Sequence, residues 1–130
     1  MGAWSHTSFG NDDALDFIVE VEEDGEAAVA NAFEVVSFLK PDDYLEAPDA
    51  SVALAAAELV AARRGKPPAD FPPQAAEVVA RINDHRTLSE EAIKAVKRIL
   101  DYSELKELWA ESQEFDKWRA DVADLLERLK

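Results

Sequence analysis

The residues best equipped for chemistry gather near the N-terminus: His6, Asn11, Asp12, Asp13 and Asp16. Asp12 and Asp16 are four residues apart, so a helix here puts both carboxylates on one face, close enough to share a divalent cation. Such a site needs a third ligand, which His6 or Glu46 could supply. The same residues also make sense with no ligand at all. Asn11 is a favourable N-cap, and Asp12, Asp13 and Asp16 place negative charge where the helix dipole welcomes it. Capping is the simpler reading, so no cofactor is expected and a divalent metal on Asp12, Asp13 and Asp16 is the alternative. The adjacent carboxylates Asp42-Asp43 and Glu22-Glu23-Asp24 could in principle do acid–base work, but neighbouring acids on a polar segment ordinarily form a solvated face.

Other chemistries are excluded by what is missing. With His6 and His85 as the only histidines, there is no paired-histidine helix of a metalloprotease and no alternating-ligand calcium loop. The four glycines are scattered, and none belongs to a phosphate-binding loop, a dinucleotide fingerprint or a nucleophile elbow. The absence of cysteine removes disulfides, thiol nucleophiles and thiolate metal sites, and fits a reducing cytoplasm. Trp109 and Trp118 fall within a C-terminal apolar stripe, which points to core packing. Trp4 precedes any helix; it needs a groove in the body to bury it, and left exposed it would mark an interface. The candidate binding surface is therefore Trp4, His6, Asn11, Asp12, Asp13 and Asp16.

The elements that must position these residues are helical. From the Asn11 cap, Leu15, Ile18 and Val19 follow helical spacing, with Phe17 and Val21 widening the stripe, until Asp24-Gly25 turns the chain. A second helix takes Glu26 to about Leu39, through Val29, Ala32, Phe33 and Val36, and Lys40-Pro41-Asp42 ends it. Asp49 is the expected cap of a third, running to about Arg64 with Gly65 as its stop. Its alanines at positions 53, 56, 57 and 61 let neighbours approach closely, which places it centrally. Prolines 67, 68, 72 and 73 make residues 65–73 a connection within the domain. Pro73 opens a fourth helix to about His85, and Thr87-Leu88-Ser89-Glu90 reads as the capping box of a fifth, buried through Ala92, Ile93, Val96, Ile99 and Leu100. Leu105, Leu108, Phe115, Trp118, Val122, Leu125 and Leu129 continue the rhythm after Ser103, with a weak point near Glu111-Ser112, as one long helix or two short ones. No segment alternates with period two and none repeats another. The expectation is an all-α compact bundle of about six helices, with no sheet, folded as a single domain over residues 1–130.

The formal net charge is −14, and its distribution is lopsided. Residues 1–60 hold 14 acids against one basic residue, Lys40, whereas residues 61–130 are nearly balanced. This field repels nucleic-acid phosphate and anionic lipid, and attracts a basic protein partner. No basic segment precedes an apolar run at the N-terminus, so no secretory signal is expected. The longest apolar stretch, Val52 to Ala62, contains Glu58 and is too short to cross a bilayer. Oligomeric state stays open, because the C-terminal stripe suits either a monomer core or a second copy.

The run Met1-Gly2-Ala3-Trp4, then Phe9, Asn11-Asp12-Asp13-Ala14 and Asp16-Phe17, resembles the N-terminal signature of the mostly bacterial family called domain of unknown function 4259. Tyr44-Leu45-Glu46-Ala47 with Ala53 to Ala62, and Ser103-Glu104-Leu105 through Trp109 to Glu111-Ser112, are similar to its middle and C-terminal blocks. The resemblance implies a small single-domain protein and brings no activity or catalytic residues. Two positions depart from the family pattern, Ser5 where it has glycine and Phe17 where it has tryptophan; Phe17 fits a core role that asks only for a large apolar ring. Taken together, the residues point to a non-enzymatic acidic protein that docks on a basic partner, as toxin-neutralising immunity proteins do. The alternative is a divalent-metal-dependent enzyme or sensor built on the N-terminal aspartates.

Overall fold

The computed structural model describes residues 5–130; Trp4 and the three residues before it lie outside the described part. The described residues form seven α-helices and no strand: α1 Asp12–Asp24, α2 Glu26–Ser37, α3 Ala47–Arg63, α4 Pro73–Val78, α5 His85–Asp101, α6 Glu104–Ala110 and α7 Phe115–Leu129, with one 3₁₀ turn, Val79–Arg81, after α4. The all-α class stands, and the count rises from six to seven. No helix among the described residues is long and apolar enough to cross a membrane.

Alanine decides the centre of the bundle. Every residue of α3 from Ala53 to Ala61 is buried, because methyl side chains on all sides let α1, α2, α5, α6 and α7 pack against one helix. The surrounding helices each contribute one apolar stripe, such as Phe17, Ile18 and Val21 of α1, Val29 and Phe33 of α2, and Val96 and Ile99 of α5. Phe17, standing where the family pattern has tryptophan, is 1% exposed, as its core role requires.

Between α1 and α2 a single glycine serves both helices. Gly25 ends α1 by donating its N–H to the Val21 carbonyl at 2.8 Å and begins α2 at φ 68°, a left-handed conformation that favours glycine. Three boundaries differ from the sequence expectation, each for a tertiary reason. α3 starts at Ala47 rather than after Asp49, because Glu104 from the start of α6 accepts the Ala47 N–H at 2.8 Å and supplies the missing cap. α4 and its 3₁₀ turn stop at Arg81, short of His85. Glu26 of α2 accepts the N–H groups of Asn83 and Asp84 at 2.7 and 2.6 Å and holds that strip of backbone out of the helix. α5 accordingly begins at His85, and its cap is Asp84, which accepts the Thr87 N–H, rather than the anticipated box at Thr87. The C-terminal segment is two helices, parted at the expected weak point. Ser112 turns back on Trp109 there, its hydroxyl donating to the Trp109 carbonyl at 2.8 Å.

Arg128 fastens α7 to α3. Its Nη2 lies 2.8 Å from Oε1 of Glu58, its Nε donates to Asp124 at 2.7 Å and its Nη1 to the Lys66 carbonyl at 3.1 Å. Glu58 is 3% exposed, and its approach to Arg128 is an ion pair without a well-aligned hydrogen bond. Burial pushes the Glu58 carboxyl up to about 7, and the Arg128 guanidinium opposes that rise without cancelling it.

Candidate functional site

Asn11 is the N-cap the sequence requires. Its side-chain oxygen accepts the Ala14 N–H at 2.8 Å, and its amide donates to the Ser8 carbonyl at 3.3 Å. Ahead of it the chain folds back on itself. The Gly10 N–H donates to the Thr7 carbonyl at 3.1 Å and the Ser5 N–H to the Gly10 carbonyl at 3.3 Å. A Cβ on Gly10 would sit 2.5 Å from that of Ser5, so only glycine admits this approach.

That turn, with the N-terminal ends of α1 and α3, forms one wall of a cleft of about 190 Å³. Ser5, His6, Thr7, Ser8, Asn11 and Asp13 make its polar rim. The apolar side comes from Leu54 of α3, Leu105, Leu108 and Trp109 of α6, and Trp118 and Val122 of α7. Ser51 of α3, itself buried, also lines the cleft. His6 is held from across the molecule, its Nδ1 in a close hydrogen bond with Oδ2 of Asp121 on α7. That contact fixes the orientation of the ring and assigns Nδ1 to the carboxylate.

The candidates named from sequence therefore separate. His6, Asn11 and Asp13 meet at the cleft, while Asp12 and Asp16 stay exposed along α1 and do not line it. Of the proposed third metal ligands, His6 pairs with Asp121 and Glu46 stands at the start of α3. Among the described residues, no three of His, Cys, Asp or Glu are grouped to hold a metal. Sequence reasoning missed Asp121, which lies 115 residues from His6, and it placed Trp109 and Trp118 in the core without seeing that they also wall a cleft.

Around α1 the electrostatics are one-sided. Asp12, Asp13, Asp16, Glu20, Glu22, Glu23 and Asp24 are all exposed, and none forms an ion pair among the described residues. Asp12, Asp16 and Glu20 succeed one another at four-residue spacing, so like charges stack along one face. The first-turn pair Asp12 and Asp13 is favoured by the helix dipole. Glu22, Glu23 and Asp24 occupy the opposite end, where the dipole favours cations; α1 itself has none there, and Arg81 after α4 donates to the Glu22 carbonyl at 2.7 Å.

A family model described as Domain of unknown function (DUF4259) matches residues 2–121. No curated protein matches the chain, and no solved structure does.

Proposed function

The chain belongs to the DUF4259 family, matched over residues 2–121, and since that membership carries no activity with it, we propose from the geometry that the protein is a non-enzymatic binding module whose acidic α1 face docks on a basic protein. The observation that carries this reading is the unpaired acid of α1: seven exposed carboxylates, none in an ion pair among the described residues. Dipole complementarity accounts for Asp12 and Asp13, and Glu22, Glu23 and Asp24 have only Arg81 nearby, which donates to the Glu22 carbonyl rather than to a carboxylate. Like charges at four-residue spacing repel one another. A cationic partner would be steered to these carboxylates and would relieve their mutual repulsion. The same field disfavours nucleic acid and anionic membranes as partners.

The experiment compares the native protein with the variant Glu20→Gln/Glu22→Gln/Glu23→Gln/Asp24→Asn, which neutralises the C-terminal half of the acidic face, as bait in extracts of the source cell. A basic protein should be retained by the native bait at low salt, released by high salt, and not retained by the variant. Equal retention by both baits, or no retention by either, would overturn the reading.

A further inference from the structure

The cleft beside α1 is too small for a drug-sized ligand and about right for one side chain. Its walls and rim make different demands on an occupant. Leu54, Leu105, Leu108 and Val122 require an apolar stem. Asp13, exposed at the rim, attracts a cation and repels an anion. His6 does not oppose a cation, because any charge on its ring is matched by Asp121. Trp109 and Trp118 add indole surface, to which a guanidinium binds more favourably than an ammonium. Asp13 also belongs to the α1 acidic face, so cleft and face form one continuous surface.

We infer that this cleft receives an arginine side chain of the cationic partner, its methylenes against the apolar walls and its guanidinium at Asp13. The inference rests on the docking reading above and makes the cleft its anchor point. A single desolvated arginine in a pocket, ringed by steering charge, is a common way for a polar interface to acquire its affinity.

The test titrates three capped amino acids into the isotopically labelled full chain, followed by amide and indole N–H resonances. The probes are acetyl-arginine amide, acetyl-lysine amide and acetyl-norleucine amide, the last an apolar stem without charge. Acetyl-arginine amide should shift the Trp109 and Trp118 indole signals in a saturable way. Acetyl-lysine amide should bind more weakly, and acetyl-norleucine amide at least about tenfold more weakly. Asp13→Asn, at an exposed position, should lower the arginine affinity about tenfold with the fold intact. Ala47→Leu, which narrows the cleft and leaves its charge alone, should abolish the indole shifts. Equal binding of the norleucine probe, an unchanged affinity in Asp13→Asn, shifts confined to the outer face of α1, or no shift with any probe would each overturn the inference. The two proposals fail separately. Probe binding without partner capture removes only the docking reading, and salt-sensitive capture without probe binding removes only the arginine anchor.

Discussion

Replacing Glu58 by glutamine should make the protein's stability less sensitive to pH, by an amount that follows from where Glu58 sits. Glu58 is 3% exposed, and burial raises its carboxyl from 4.5 to about 7 against the opposing pull of Arg128. In the interval between those two values the folded chain holds a proton that the unfolded chain has lost. Stability therefore falls as pH rises through that window, and is unaffected by this group above it. At 1.36 kcal/mol per unit, the whole rise corresponds to roughly 3 kcal/mol lost between about pH 4.5 and 7.5. Glutamine keeps the shape of the protonated acid and has nothing to titrate. Urea denaturation of both proteins at several pH values and constant ionic strength isolates the effect, because the other carboxylates are common to both and cancel in the difference. The stability of Glu58→Gln minus that of the native protein should grow with pH by roughly 3 kcal/mol. A difference that stays flat, or shrinks as pH rises, would mean that the Arg128 pair outweighs burial and would refute the argument.

Arg128→Met should cost about 3 kcal/mol or more near pH 8, where it leaves Glu58 buried and uncompensated, and clearly less near pH 5, where the carboxyl is already protonated; denaturation at the two pH values checks it. Glu23→Lys should raise stability by about 0.5 kcal/mol at low ionic strength, a gain that fades in 1 M salt, because it sets a cation among the exposed carboxylates Glu20, Glu22 and Asp24; thermal melts at both salt concentrations read it. Ala56→Leu should destabilise by about 1–3 kcal/mol, since α3 has no free side on which to place the larger residue, and a loss below about 0.5 kcal/mol would contradict its central position. Gly25→Ala should cost about 1 kcal/mol through its left-handed backbone, measured by the same denaturation.

Much of this architecture was legible from spacing. The helical spacing of Leu15, Ile18 and Val19 announced α1, although Val19 is exposed and Phe17, Ile18 and Val21 form the buried stripe; Val96, Ile99 and Leu100 announced α5, and the alanines of α3 a crowded centre. Local caps were legible too: Asn11, Gly25 and the break at Ser112 act through neighbours within four residues. What stayed hidden are helix ends set by distant groups. Glu104 caps α3 from 57 residues away, and Glu26 straightens the backbone before α5, contacts that no local pattern encodes. The cleft divides the same way. His6, Asn11 and Asp13 stood out as a polar cluster, but Asp121 and the two indoles reach them only through the packing of α6 and α7. The N-terminal signature that suggested the family lies within the matched residues 2–121.

The central claim, that the acidic face of α1 is a docking surface for a cation-bearing protein, is tested most directly by association kinetics. With the retained partner immobilised, the association rate constant of the native protein should fall at least about tenfold as salt rises from about 0.02 M to 0.3 M, with little change in dissociation. For the variant neutralised at Glu20, Glu22, Glu23 and Asp24, the association rate should start low and vary little with salt. An identical salt dependence in the two proteins would contradict the account, because the steering charge would then lie somewhere other than α1.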